Sequence, residues 1–252
     1  MARFTDKIAI VTGSSRGIGA AIAQAFTQQG ATVIGVARTA SELKAQNYVP
    51  INFDLGNATV AQIDELIGQV LHKHRKIDIL INNAGIIRRA PAHQFSEQDW
   101  DDVMRINLKA PFFLAQSVAR WWIDGGGMNL DADSRLKIVN IASMLSFQGG
   151  ITIPPYTASK HAIAGITKAL ANEWAPKRIN INAVAPGYIE TENTRPLRED
   201  PVRNPAILAR IPQGYWGHPD HIAGAVLFFS SSPDSDYANG AVLNIDGGWL
   251  AR

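Results

Sequence analysis

The sequence predicts an α/β fold, a doubly wound parallel sheet of about seven strands with helices on both faces. Apolar runs of strand length alternate along the 252 residues with segments in which apolar residues recur at helical spacing. The strand-like runs are nearly continuous in valine, isoleucine and leucine, which is typical of strands covered on both faces. Because we find no repeat and no sign of a second unit, we expect a single domain over residues 1–252.

Seven segments carry the strand pattern, and the third is the weakest. They are 7–13 (KIAIVTG), 31–37 (ATVIGVA), 48–55 (YVPINFDL), 77–85 (IDILINNAG), 137–143 (KIVNIAS), 179–187 (ININAVAPG) and 240–248 (GAVLNIDGG). Helical spacing recurs at about 17–29, 60–75, 99–123, 156–175 and 219–231. Gly30 follows the first helix, where a left-handed cap residue is favoured. Because crossovers between parallel strands are right-handed, this order predicts a doubly wound sheet.

Two stretches depart from the alternation of strands and helices. Residues 124–135 (DGGGMNLDADSR) are rich in glycine and aspartate and predict a surface loop. Residues 188–217 contain four prolines and four arginines between a strand and the last helix. Since ligands bind at the carboxyl ends of strands in such sheets, we expect 188–217 to form a lid.

Composition and charge exclude several classes of protein. The formal net charge of +2 includes no block of like charges, so we expect no nucleic-acid partner. No apolar stretch approaches the ~18 residues of a membrane span, and the N-terminus does not resemble a signal peptide. The absence of cysteine excludes disulfides and thiolate metal sites, and the six histidines show no metal-binding spacing. We expect a cytoplasmic protein without a metal.

A glycine-rich turn, TGSSRGIG (12–19), follows the first strand and opens the first helix. Gly13, Gly17 and Gly19 permit a tight turn, and a helix N-terminus favours a pyrophosphate. The spacing is G-x-x-x-G-x-G, and the alternative is a plain strand–helix connection. Its place in the first β–turn–α unit favours dinucleotide binding.

The end of the second strand bears on which dinucleotide is bound. An acid there would bind the ribose 2′-hydroxyl of NAD(H), but this chain has Ala37 followed by Arg38. Arg38 and Arg16 could both bind a 2′-phosphate through charge-assisted hydrogen bonds. Alternatively, Arg38 stacks on the adenine or faces water. The residues favour NADP(H) over NAD(H).

Tyr156 and Lys160, in the segment YTASK, are four residues apart and would share one helix face. A lysine ammonium nearby lowers the pKa of a tyrosine, which would make Tyr156 usable as a general acid or base. The alternative is an exposed helix edge with a lysine that extends into solvent.

Six features in order resemble the short-chain dehydrogenase/reductase family from about residue 5 to the C-terminus. They are TGSSRGIG, NNAG (82–85), Asn107 in RINLKAP, Ser143 in NIASM, YTASK and APG (185–187). The resemblance implies a Rossmann-like sheet, an NAD(P)(H) cofactor, one dinucleotide-binding and catalytic domain and usually a homotetramer. The chain is thereby interpreted as an enzyme.

The resemblance also implies roles for individual residues. Tyr156 would transfer a proton to or from the substrate oxygen, and Ser143 would hydrogen-bond that oxygen. Lys160 would hold the nicotinamide ribose and lower the pKa of Tyr156, while Asn107 would position a water linked to Lys160. The implied cofactor contacts are Gly13, Ser15, Arg16, Gly17, Ile18, Gly19, Arg38, Asp54, Leu55, Asn83, Ala84, Gly85, Tyr156, Lys160, Pro186, Gly187, Ile189 and Thr191.

Longer segments resemble one subfamily, the 2-dehydro-3-deoxy-D-gluconate 5-dehydrogenases, also called 2-deoxy-D-gluconate 3-dehydrogenases. The segments are 88–104, 140–150, 171–176, 210–220 and 246–252. The resemblance implies a keto-deoxy sugar acid as substrate, with hydride transfer at a secondary alcohol or ketone. Members of that subfamily mostly use NAD(H), which opposes the interpretation of Arg38.

A sugar acid carries a carboxylate, so its site should supply a cation or oriented amides. The candidates are Arg88 and Arg89 after NNAG, Gln148 after the fifth strand and Arg195 in the predicted lid. Each arginine taken alone could equally be a solvated surface residue. We expect at least one of them to bind the carboxylate.

Three other functions remain open. A carbonyl or 3-oxoacyl reductase of the same family would need a basic patch to bind a carrier protein. The acidic segment SEQDWDD (96–102) does not support such a patch. A catalytically inactive, cofactor-sensing protein would be expected to lose Tyr156 or Lys160, and both are present. A sugar epimerase of the longer branch would carry an added C-terminal domain and a different glycine spacing.

Overall fold

The computed structural model describes residues 2–131 and 133–252, and its seven strands form one parallel sheet. The sheet order is β3-β2-β1-β4-β5-β6-β7. The strands are β1 Ile8–Thr12, β2 Thr32–Ala37, β3 Tyr48–Asn52, β4 Ile79–Asn82, β5 Leu136–Ile141, β6 Ile179–Pro186 and β7 Val242–Ile245. All seven predicted strands are present. The order reverses between β1 and β4, so the predicted doubly wound, Rossmann-like sheet is confirmed.

Eight α-helices connect and cover the strands within the described residues. They are α1 Gly17–Gln28, α2 Val60–His74, α3 Glu97–Met104, α4 Ala110–Trp121, α5 Pro154–Trp174, α6 Arg195–Arg198, α7 Arg203–Arg210 and α8 Pro219–Ser230. None of the helices in the described part of the chain is both long enough and apolar enough to span a membrane. Gly30 has a φ of 90° just after α1, in the left-handed region expected of it.

The helical pattern predicted at 99–123 is confirmed, but a π-helical turn at Arg105–Lys109, which was not predicted, lies between α3 and α4. Pro111, in the first turn of α4, has no N–H to donate, so the regular hydrogen-bond ladder cannot pass through it. Such turns insert one residue into a helix and occur often at functional sites. This one carries Asn107 near its centre.

Both faces of the sheet are buried under helices. On one face, Ile10, Leu80 and Ile138 belong to a core shared with buried residues of α2, α4 and α5. On the other face, Val11 and Ile81 belong to a core shared with α1 and α8. Because side chains alternate along a strand, each central strand contributes to both cores. This rigid centre fixes the loops that follow β1, β4 and β5.

The segment 188–217 is ordered and largely helical. It contains a short 3₁₀ turn at Glu192–Thr194, followed by α6 and α7. Its buried residues Leu197, Ile207 and Trp216 pack in a third core with Leu145, Ile153 and other residues near the end of β5. The segment therefore covers the end of the sheet where a lid was predicted. In the predicted loop 124–135, Ala132 lies outside the described residues.

A buried ion pair joins the sheet to the loop before β7. The Lys137 side chain on β5 is 2% exposed, and its Nζ lies 2.6 Å from Oδ1 of Asp236. Lys137 Nζ also lies 3.2 Å from Oδ1 of Asn180 on β6, and Asp236 accepts from the Ser232 hydroxyl at 2.6 Å. Burial lowers the pKa of Lys137, and its bond to Asp236 opposes that shift.

Candidate active site

Four predicted site residues meet at the carboxyl ends of β4 and β5, where ligands bind in open parallel sheets. Ser143 lies two residues beyond β5, and Tyr156 and Lys160 lie in the first two turns of α5. Asn107 lies in the π-helical turn. The fold therefore brings together side chains from three separate parts of the chain.

Asn107 is 2% exposed and fastens the loop after β4 to α5. Its Oδ1 accepts from the Ile86 N–H at 2.8 Å, and its Nδ2 donates to the Ile86 carbonyl at 2.9 Å. Nδ2 also lies 3.2 Å from the Ser159 hydroxyl, which donates to the Tyr156 carbonyl at 2.8 Å. Asn107 thus fixes the start of α5 against the β4 loop. Its predicted role in positioning a water stays a prediction.

Lys160 is buried rather than extended into solvent, which excludes an exposed helix edge. Its Nζ donates to the Ile141 carbonyl at the end of β5, at 2.6 Å, and lies 5.5 Å from the centre of the Tyr156 ring. Burial lowers the pKa of Lys160 to about 8. Lys160 is therefore still mostly protonated at pH 7, and its positive charge lies beside the phenol.

Tyr156 is half-buried, and burial raises its pKa above the usual 10.0. A hydrogen bond with Ser143 and the charge of Arg89 each oppose that rise. The sequence predicted a lowered pKa caused by Lys160, but among the protein groups burial outweighs the opposing interactions. At neutral pH the phenol therefore keeps its proton and is suited to donate it to a carbonyl oxygen.

Ser143 is oriented by the short 3₁₀ turn Met144–Ser146 that follows it. Its Oγ accepts from the Leu145 N–H at 3.1 Å, which leaves the hydroxyl proton available for another acceptor. The Ser146 hydroxyl donates to the Lys160 carbonyl at 2.6 Å and ties this turn to α5. Ser143 and Tyr156 can thus both donate to one substrate oxygen.

The glycine turn after β1 leaves room only for hydrogen atoms. A Cβ built on Gly13 would lie 2.9 Å from the Ala84 Cα, and one on Gly19 would lie 2.1 Å from the Gly13 carbonyl oxygen. Asn83 Nδ2 donates to the Thr12 carbonyl at 2.9 Å and to the Gly13 carbonyl at 3.2 Å. Arg16 precedes α1 in an extended conformation and its side chain does not cap the helix. Residues 12–19 at the N-terminus of α1, called the glycine cradle below, fit the pyrophosphate of a dinucleotide.

Gly19→Ala is expected to weaken NADPH binding by roughly tenfold or more, because the added methyl group would overlap the Gly13 backbone. Quenching of protein fluorescence by NADPH measures the dissociation constant. The matched control is Gly68→Ala in α2, where a Cβ would meet nothing within 4 Å. If Gly19→Ala and Gly68→Ala bind NADPH equally well, the turn does not hold the dinucleotide.

Sequence reasoning missed three residues that support this turn. The Thr12 hydroxyl accepts from the backbone N–H groups of Asn83 and Ala84, each at 3.0 Å. The hydroxyls of Tyr48 and Ser14 lie 3.0 Å apart, and Tyr48 fills the space beside Gly35. Thr12 lies near the end of the predicted strand 7–13 and Tyr48 begins the predicted strand 48–55, so neither carries a sequence signal of its contact.

The two cations predicted to select the dinucleotide lie at the same edge of the sheet. Arg16 and Arg38 are exposed, and neither lies within 4 Å of an acidic side chain among the described residues. The Thr39 hydroxyl donates to Ser15 at 3.1 Å and holds the end of β2 against the glycine turn. Both arginines are therefore free to meet a 2′-phosphate.

The other predicted cofactor residues border this cradle or support its walls. Asp54 accepts from the Gly56 N–H at 2.9 Å, which shapes the turn after β3. A Cβ on Gly85 would lie 3.3 Å from Oδ1 of Asn107. Thr191 in the lid approaches Gly17, whose added Cβ would lie 3.4 Å from it. The remaining residues are Leu55, Ile18 and Ile189 in the cores, Pro186 at the end of β6, and Gly187 directly after β6.

The structure separates the four candidate ligands for a carboxylate. Arg88 pairs with Asp99 at 3.1 Å, and Arg195 pairs with Glu192 at 2.5 Å. Gln148 Oε1 accepts from the Trp249 indole at 3.2 Å. Only Arg89 of these lies within electrostatic reach of Tyr156 and has no acidic partner within 4 Å among residues 2–131 and 133–252. Arg89 is therefore the best placed of the four.

Comparison with known proteins matches the chain to one family. The family model described as short chain dehydrogenase matches residues 7–202. The 2-dehydro-3-deoxy-D-gluconate 5-dehydrogenase of Bacillus subtilis is 47% identical over 252 residues, covering 98% of this chain and 95% of the relative. The likeness thus extends over almost the full length of both proteins.

Two solved structures share the fold of this chain. One, from Agrobacterium tumefaciens, is described as a 2-deoxy-D-gluconate 3-dehydrogenase with bound NADP; it is 48% identical, with a TM-score of 0.88 and full coverage of both chains. The other, a gluconate 5-dehydrogenase from Burkholderia cenocepacia in complex with NADP and tartrate, is 37% identical with a TM-score of 0.89. It covers 100% of this chain and 98% of that one.

Proposed function

This chain belongs to the short-chain dehydrogenase family and is an NAD(P)-dependent oxidoreductase acting on CH–OH groups, and we propose that its substrate is a keto-deoxy sugar acid. The reaction interconverts a secondary alcohol and a ketone, as in a 2-dehydro-3-deoxy-D-gluconate 5-dehydrogenase. One observation carries the proposal: a relative of that activity is 47% identical over almost the full length of both chains.

The side chains supply the proton chemistry of this reaction. NADP(H), when bound in the glycine cradle, supplies or accepts the hydride. In the direction of ketone reduction, Tyr156 donates its proton to the substrate oxygen while Ser143 hydrogen-bonds that oxygen. The ammonium group of Lys160, 5.5 Å from the ring centre, stabilises the phenolate that forms. Asn107 keeps α5 in place against the β4 loop.

The cofactor is NADP(H) rather than NAD(H) in this proposal. Arg38 directly follows β2, where an acid would favour NAD(H), and Arg16 lies in the glycine turn before α1. Charge-assisted bonds from arginine suit a 2′-phosphate. The bound NADP in the Agrobacterium tumefaciens and Burkholderia cenocepacia structures supports the same choice.

A substrate panel tests the function and the cofactor together. The purified protein is incubated with 2-dehydro-3-deoxy-D-gluconate, D-gluconate, a neutral ketone and a 3-oxoacyl thioester, each with both cofactors in the matching redox state. We expect the highest kcat/KM for oxidation of 2-dehydro-3-deoxy-D-gluconate at its C5 hydroxyl with NADP+ as hydride acceptor, measured by nicotinamide absorbance. Preference for the thioester would favour the 3-oxoacyl reductase alternative, no turnover would favour the inactive alternative, and preference for NAD(H) would contradict the cofactor assignment.

We also propose that residues 1–252 act as one catalytic domain and assemble as a homotetramer. Support comes from β7 at the edge of the sheet, where Leu243 is 38% exposed, and from Phe228 on α8, which is 41% exposed. Light scattering should give the mass of four 27.3 kDa chains, and a single-chain mass would contradict the assembly. The cytoplasmic location stays a prediction.

A further inference from the structure

The face of α7 that packs toward Tyr156 carries two arginines. Arg203, Ile207 and Arg210 are four and three residues apart, so they share one helix face. Ile207 is buried in the third core, against which Tyr156 and Tyr188 also pack. Because Ile207 lies between the two arginines along this face, Arg203 and Arg210 lie on either side of the residue that α7 buries in this core.

Arg210 is already held in place by the C-terminal segment. Its guanidinium lies 3.9 Å from the centre of the Trp249 ring, and the Trp249 indole donates to Gln148 at 3.2 Å. At the other end of α7, the Trp216 indole donates to Oδ1 of Asn204 at 2.8 Å. Both ends of α7 are therefore anchored by side-chain contacts. The backbone from which the Arg203 side chain extends is held in place.

Arg203 has no acidic side chain within 4 Å in the described part of the chain. The nearby Asp200 carboxylate accepts from the backbone N–H groups of Arg203 and Val202, both at 2.9 Å. These two bonds are the main causes of its lowered pKa, and the charge of the Arg203 side chain is the smallest of the causes.

Ile87, two residues before Arg89, packs against the same third core as Ile207, four residues after Arg203, so the two arginines lie on segments that meet at this core. In agreement with that packing, burial and then the charge of Arg203 lower the pKa of Arg89. Both also lie within electrostatic reach of Tyr188.

We propose that Arg89 and Arg203 together bind the carboxylate of the substrate, and that α7 is therefore the specificity-determining part of the lid. The like charges of Arg89 and Arg203 repel each other, and no acidic side chain lies within 4 Å of either arginine in the described residues. A carboxylate placed between them removes that repulsion and forms charge-assisted bonds with both. This inference rests on the proposed function, since it assigns the group that recognises the acid.

The pair Arg89 and Arg203 is called the carboxylate clamp below. Arg203→Ala and Arg89→Ala test this clamp with two substrates, 2-dehydro-3-deoxy-D-gluconate and its neutral amide. Loss of a charged hydrogen bond should raise KM for the acid by roughly ten- to a hundredfold. KM for the amide should stay near that of the wild-type protein. Since both arginines hold one group, the double variant should lose less than the product of the two single effects. Arg203→Lys should recover part of the affinity.

The matched control is Arg195→Ala, which removes a lid arginine already paired with Glu192 and Glu199. KM for the acid should not change in this variant. NADPH binding, followed by fluorescence, verifies that every variant is folded.

Each outcome bears on the clamp. Equal losses on acid and amide would assign Arg203 a structural role, and an unchanged KM for the acid would remove it from the site. Either result would leave the proposed function standing, because the wild-type protein would still oxidise the acid. No wild-type turnover of the acid would overturn both.

Discussion

Tyr156→Phe should lower kcat for reduction of the keto acid by roughly 10²–10⁴-fold, because the phenol is the group that donates the proton. Burial raises the pKa of Tyr156, so the wild-type phenol is fully protonated at pH 7 and ready to act as an acid. Phenylalanine keeps the ring, and with it the packing against the third core. NADPH binding should therefore be unchanged while turnover is lost.

A second tyrosine provides the control for this substitution. Tyr237 is fully exposed, and Tyr237→Phe removes the same hydroxyl group away from the site. Its kcat should equal that of the wild-type protein. Single-turnover absorbance of NADPH separates the chemical step from cofactor release. If Tyr156→Phe retains wild-type kcat, another group delivers the proton and the assignment of Tyr156 is wrong.

Asp236→Asn is expected to lower the free energy of unfolding by about 3–5 kcal/mol, because it leaves the buried Lys137 ammonium without a counter-charge. The Lys137 side chain is 2% exposed, and its other partners, Asn180 and Ser235, are neutral. The double variant Lys137→Met/Asp236→Leu should lose less, since the buried ammonium is then removed, and the other cation beside Asp236, Arg135 at 3.5 Å, is 33% exposed. Urea denaturation followed by circular dichroism measures the change.

Asp234, two residues earlier, gives a matched control. It pairs with Arg3, and both side chains are well exposed at 47% and 39%. Asp234→Asn should therefore cost at most about 1 kcal/mol. Equal effects of the two substitutions would mean that the buried pair contributes no more than an exposed one.

The pH dependence of the buried pair has a definite sign. Burial raises the pKa of Asp236, but the bonds from Lys137 and Ser232 lower it more, so its net pKa lies below the usual 3.8. A carboxyl with a lowered pKa stabilises the fold above the unfolded-state pKa and loses that effect as the pH falls through the folded-state pKa. The difference between wild-type and Asp236→Asn should therefore be full at pH 7 and shrink below about pH 4.

Much of the fold could be predicted because its signals are local. Each strand is an apolar run bounded by polar or glycine residues, and each long helix has its own period. The π-helical turn at Arg105–Lys109 could not be predicted, because the apolar pattern of 99–123 continues through it. Pro111 is the only residue of this range that disfavours a regular helix. Because proline is common in the first turn of a helix, it does not by itself predict a π-helical turn.

Some residues of the site could be predicted and others could not, again because only local signals are visible in the sequence. Tyr156 and Lys160 share one helix turn, so their spacing is visible in the sequence, and the order of the family motifs pointed to Ser143 and Asn107. The net direction of the Tyr156 pKa depends on burial by distant residues and was not visible. Arg203 lies in a segment without periodicity, and its relation to Arg89 exists only after 188–217 has folded over the sheet.

The proton-transferring side chains and the arginine of α7 are carried by different parts of the molecule. Ser143, Tyr156 and Lys160 are attached to the central sheet and its long covering helix, whereas Arg203 belongs to a cover that meets the sheet mainly through side-chain packing. Such a division makes the molecule modular. Transplanting residues 190–215 from another member of the family would redirect which compound is selected, while the machinery that moves hydrogen is inherited unchanged.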